Sequence, residues 1–229
     1  MLHELLRIFR SGNPLKEMAD EFGQMLQLTC EMTVTAGDIY FGKTLSAEDR
    51  TKIYSQDVRV NKLERKIRKR VVAHLSVSRN TADLPYCLLL MSLVKDVERL
   101  GDYAKNLSEV IDIHSGELPD DDIVAELKEI RAGVEEAFRA SARVFPDSDR
   151  ERALTLIRHG KDLAQRSDGL LLRIAKSSYP ADTTTALVLG ARYYKRIGGH
   201  VLNLLSAVVM PLHKVDYYDE DEIPASEVK

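Results

Sequence analysis

The stretch VERLGDYAKNL, residues 97–107, places Glu98 and Asp102 one helical turn apart. Like charges at i and i+4 destabilise an exposed helix by roughly 0.2–0.5 kcal/mol. Either water solvates both carboxylates, or a positive group belongs between them. A second stretch, YKRIGGHVLNL, residues 194–204, runs parallel to the first. Aligning them pairs Glu98 with Lys195, Arg99 with Arg196, Gly101 with Gly198, Asp102 with Gly199 and Asn106 with Asn203. Helical periodicity alone produces apolar matches, but it does not produce a shared Arg, Gly and Asn. The two stretches read as copies in a tandem duplication, one of them altered.

Working outward, apolar residues recur at alternating spacings of three and four. Phe22, Met25, Thr29, Met32, Ala36 and Ile39 mark a first helix, from about Pro14 to Gly42. Val60, Leu63, Ile67 and Val71 mark a second, opened by Ser46 as a cap, with Asp49 closing a capping box. Leu93, Val97, Leu100, Ala104, Leu107 and Ile111 mark a third, starting at Pro85. After Gly116–Asp120 three more seams follow, through Ile123–Val144, Leu156–Ile174 and Leu187–Val208. Narrow stripes on long helices with short links predict an all-α protein of two antiparallel three-helix bundles. The expected division is an N-terminal extension over 1–14, bundles over 15–115 and 120–213, and an acidic flexible tail over 214–229.

Composition supports that class. The chain has 229 residues, 44% hydrophobic and 30% charged, with no Trp and only 7 Pro, which disfavours an all-β fold rich in turns. A net charge of −3 gives no general affinity for nucleic acid. Cys30 and Cys87 form no C-x-x-C and read as small buried hydrophobes in a reducing, cytoplasmic setting. No run approaches the ~18 apolar residues of a membrane span, and the N-terminus lacks the pattern of a signal peptide.

Chemistry-bearing residues concentrate on two helices. Glu98, Asp102 and Asn106 share one i, i+4 row of the third helix, and Asp57, Asn61 and Glu64 lie along the second. Adjacent rows of carboxylate and amide oxygens suit a hard cation such as Mg²⁺, Mn²⁺ or ferric iron, and do not suit soft metals. The ordinary alternative is that Glu98 and Asp102 pair with Lys95, Arg99 or Lys105. The six histidines are scattered without the Glu-x-x-His of di-iron bundles, and no phosphate-binding loop or nucleophile elbow is present. The basic run over 59–70 is either a solvated face answered by acids on neighbouring helices or a contact for an acidic partner or anionic lipid. The head, with Leu2, Leu5, Leu6 and Phe9, reads as a short helix docked on the bundle or on a second subunit, with weak membrane-surface contact as the alternative.

KDVERLGDYAKNL, residues 95–107, resembles the E-R-I-G-D signature of PhoU proteins, the phosphate-signalling regulators of bacteria and archaea. DVRVNKLERKI, residues 57–67, resembles their companion helix, and the resemblance extends over about residues 15–213. It implies a duplicated three-helix architecture and a regulator of phosphate uptake and starvation signalling, without catalysis of its own. The implied partners are a phosphate transporter's ATPase subunit or another phosphate carrier, a sensor histidine kinase, and a second copy in a homodimer, at the membrane's inner face. It also implies paired acidic metal motifs, one pair in each half. Carried over, the first pair falls on Asp57, Asn61, Glu98 and Asp102, for a Mg, Mn or Fe ion. The second half departs from the pattern, with Gly160, Ala164, Lys195 and Gly199 at the corresponding positions, so a metal is expected in the first repeat only. The competing functions are a metal-free helical adaptor of another phosphate carrier and a metal-dependent enzyme on a helical bundle.

Overall fold

The structure is a computed structural model that describes residues 14–42, 47–77, 81–114 and 116–216. Six long helices account for most of them: α1 (Pro14–Tyr40), α2 (Ala47–Val77), α3 (Leu84–Glu109), α4 (Asp122–Asp147), α5 (Arg150–Ala175) and α6 (Ala181–Val209). The described residues contain no strand. The expected capping residue Ser46, the N-terminal head and the tail beyond Asp216 lie outside the described residues.

Local chemistry explains several helix ends. Asp121 accepts hydrogen bonds from the Ile123 and Val124 amides at 3.1 and 3.0 Å, satisfying donors that the first turn of α4 leaves free. Asp149 does the same for α5 through the Arg152 amide. Between them, Ser148 takes a left-handed φ of 51° and closes α4. Pro85 sits in the first turn of α3, where its missing N–H costs nothing.

The helices pack in two sets, α1–α3 and α4–α6, each with all three members in mutual contact. The predicted seams supply the core. Met25, Met32, Val97, Leu100 and Leu107 are fully buried in the first set, and Leu127, Ile130, Leu187, Tyr194 and Ile197 in the second. Burying one such side chain contributes about 1.5–3 kcal/mol. Ile111 is the exception: it is exposed, because α3 ends at Glu109 and a single 3₁₀ turn, Val110–Asp112, rotates it off the seam.

The duplicated glycines have matching roles. A Cβ on Gly101 of α3 would meet Thr29 Cγ2 of α1 at 3.4 Å, and one on Gly198 of α6 would meet Val134 Cγ2 of α4, also at 3.4 Å. Both are ordinary van der Waals distances, so the two glycines occupy equivalent contacts of third helix on first without being required for them.

The two sets share one continuous core. α3 packs on α6 and α1 on α4. Phe22 meets Phe145 edge-on at 5.8 Å, and Tyr40 Oη donates to the Ala186 carbonyl at 3.0 Å. Packing also continues past the expected start of the tail, since Val215 is buried in this core and the Asp216 amide donates to Ser206 Oγ at 3.0 Å.

Candidate functional site

The four residues singled out as metal ligands occupy adjacent helices. Asp57 and Asn61 lie on α2, Glu98 and Asp102 on α3, and those helices pack together. Asp57 is only 8% exposed. Its Oδ2 accepts from Asn61 Nδ2 at 3.4 Å and from Lys105 Nζ at 3.3 Å. Lys105 Nζ also lies 3.6 Å from Asp102 Oδ1. Glu98 turns to Lys95 at 2.8 Å, and Arg99 donates to Asp102 Oδ2 at 3.4 Å.

This arrangement decides the local electrostatics. Burial works to lower the pKa of Lys105, but the charges and hydrogen bonds of Asp57 and Asp102 outweigh it, so the ammonium is held above its ordinary value. Three carboxylates therefore face three cations. The oxygens are hard donors of the right type for Mg²⁺ or Mn²⁺. Their placement does not form a preformed cage: an ammonium stands between Asp57 and Asp102, and Glu98 is engaged elsewhere. Among the described residues no group of three His, Cys, Asp or Glu side chains is placed to hold a metal ion.

The corresponding face of the second half has changed sign. Lys195 Nζ donates to both carboxylate oxygens of Asp168 at 2.6 Å. Ala164, Lys195 and Gly199 line a concavity together with Arg192, Arg196, His200 and Asn203. His200 and Asn203 also reach across to α3, where both bond Asp96 Oδ1.

Three comparisons bear on these helices. Residues 15–111 match the family model of the PhoU domain. Over that range the chain is similar to the PhoU domain. The matched range holds Asp57, Asn61, Glu98 and Asp102, and the altered second copy lies outside it. The crystal structure of PhoU from Pseudomonas aeruginosa superposes with a TM-score of 0.79 at 20% identity, over 87% of this chain and 97% of that one. That of the phosphate transport system regulatory protein PhoU from Streptococcus pneumoniae gives 0.71 at 16% identity, over 91% and 96%. The PhoU fold thus extends through the second half as well. No curated protein matches by sequence.

Three of the seven basic residues over 59–70 pair with acids of α1 and α2. Lys66 pairs with Glu21 at 2.8 Å, Arg68 with Glu64 at 2.9 Å, and Arg70 with Glu17 and Glu21. Both cysteines are free thiols, and burial pushes each up to about 11, which keeps them protonated and poorly nucleophilic. No helix of the described residues is long and apolar enough to cross a membrane.

Sequence reasoning missed two polar clusters between the halves. One joins Asp96, His200 and Asn203. The other centres on Arg131 of α4, which pairs with Asp38 of α1 and with Glu135, itself 5% exposed. Asp96 sits inside the quoted signature stretch, and the available signal was its place on the apolar row of Leu89, Leu93 and Leu100.

Proposed function

We propose that the protein regulates phosphate uptake and phosphate-starvation signalling by binding other proteins, without turnover of a substrate. The observation that carries this reading is the match to the PhoU domain over residues 15–111 within a fold shared with PhoU structures along most of the chain. One of those structures is a phosphate transport system regulatory protein, and the same role is assigned here. The partners are an ATPase subunit of a phosphate transporter or another phosphate carrier, and a sensor histidine kinase. A homodimer at the inner face of the membrane is part of the same reading.

Within this role, Mg²⁺, Mn²⁺ or iron binds the Asp57, Asn61, Glu98 and Asp102 face only by displacing the Lys105 ammonium. The paired charges there favour the metal-free adaptor as the resting form. The test is deletion of the gene followed by phosphate-starvation reporter and uptake assays in phosphate-rich medium. Raised reporter output or altered uptake is expected. Unchanged output and unchanged uptake together would reject the regulatory role.

A further inference from the structure

The concavity of the second half is not used by the regulatory reading. It encloses about 400 Å³ beside α6, with Ala164 of α5 in its wall. Its charged and polar lining is Arg192, Lys195, Arg196, His200 and Asn203, with no carboxylate among them. The duplication explains how it arose. Gly199 stands where the first copy has Asp102, and Lys195 where it has Glu98. The first substitution opens space and the second inverts charge.

The same change leaves an arginine unmatched. In the first copy Arg99 donates to Asp102. Its counterpart Arg196 faces Gly199, which has no side chain to accept. Arg196 and Arg192 make no ion pair with any described residue. Lys195 is engaged by Asp168, and His200 and Asn203 by Asp96, which leaves the two guanidinium groups as the uncommitted charges of the lining.

We propose that this concavity binds a compact, multiply charged oxyanion of the inorganic phosphate or pyrophosphate class. Guanidinium forks match tetrahedral oxyanions with paired, charge-assisted hydrogen bonds. A compact dianion can reach both arginines, whereas a single chloride satisfies one donor direction at a time. The site stands independently of the regulatory role, since it rests on the donors alone.

Calorimetric titration of the full chain tests it, with orthophosphate, pyrophosphate and sulfate as probes and ionic strength held constant with sodium chloride. Saturable binding of phosphate or pyrophosphate at one site per chain is expected. R192A/R196A should weaken it roughly tenfold or more, a loss typical of removing charged donors. R192K/R196K keeps the charge but loses the fork, and should bind several-fold more weakly than wild type. Gly199→Asp returns a carboxylate to the concavity and should abolish binding. Arg143→Ala, which removes an exposed arginine of α4, should bind as wild type does. Circular dichroism confirms folding of each variant, and Gly199→Asp decides if R192A/R196A does not fold. Absence of saturable binding overturns the proposal, as does binding by folded R192A/R196A or Gly199→Asp equal to that of wild type.

Discussion

Asp96 of α3 and His200 of α6 meet across the boundary between the two halves, with Asp96 Oδ1 2.7 Å from His200 Nδ1. Asn203 Nδ2 donates to the same oxygen at 3.0 Å, and the Tyr103 ring stacks on the imidazole at 5.6 Å. Asp96 is only 7% exposed. The first half thus joins the altered copy through polar contacts as well as shared core. Removing the carboxylate leaves two donors without an acceptor. Asp96→Ala should lower unfolding free energy by about 2–4 kcal/mol, measured by urea denaturation. A loss within error of zero would show that the cluster contributes nothing to joining the halves.

Asp216 supplies a pH-dependent prediction. Burial holds its carboxyl above the ordinary 3.8, nearby Asp96 adds to the rise, and His200 opposes it. A raised carboxyl pKa means that the folded chain binds this proton more tightly than the unfolded chain. Its stabilising effect is therefore complete below 3.8 and is lost as pH rises through the folded value. Asp216→Asn removes that loss and tolerates the left-handed φ of 77°. The variant should melt higher than wild type at neutral pH, with the two melting curves converging in acid. A constant offset at every pH would exclude the carboxyl as the cause.

Lys105 governs cation access to the first-half face. Lys105→Met leaves Asp57 and Asp102 without the ammonium between them. Mn²⁺ affinity should then rise, by roughly tenfold, as the carboxylates seek another cation. Adding Glu98→Gln and Asp102→Asn should remove the gain. Metal titration of the three proteins checks this, and equal affinity for all three would remove these residues from any metal role.

Gly190 of α6 lies where a side chain would collide with Tyr40 of α1, whose hydroxyl holds the Ala186 carbonyl. Gly190→Ala must push the ring aside and break that bond. A loss of about 1–3 kcal/mol is expected from overpacking, read from thermal or urea unfolding. Gly23, whose Cβ would meet nothing within 4 Å, provides the control. Gly23→Ala should be neutral or slightly stabilising, since alanine favours the helix.

Much of the fold was legible because long helices repeat their burial pattern locally. Phe22, Met25, Met32 and Ile39 follow one stripe, and each is buried. Ile111 failed because the stripe was extended past a helix end that no proline or glycine marks. At the candidate site, the sequence brought Asp57 and Asn61 together with Glu98 and Asp102 on neighbouring helices. It also named Lys95, Arg99 and Lys105 as ordinary partners of Glu98 and Asp102. It did not show that Lys105 reaches Asp57, because that contact crosses from α3 to α2 and depends on how the helices are rotated.

The sequence by itself determined the six helices, their grouping in threes and the loss of carboxylates from the second copy. Those properties follow from local spacing and residue identity, which packing does not alter. Tertiary structure alone decided how the two halves join, through Asp96 with His200, Arg131 with Asp38, and Tyr40 with the Ala186 backbone. It also decided that Arg196 is left without the acceptor its counterpart has, in a concavity opened by Gly199. These contacts join residues far apart in the chain. Their geometry depends on the rotation and separation of packed helices, which an apolar stripe restricts to a face but does not specify.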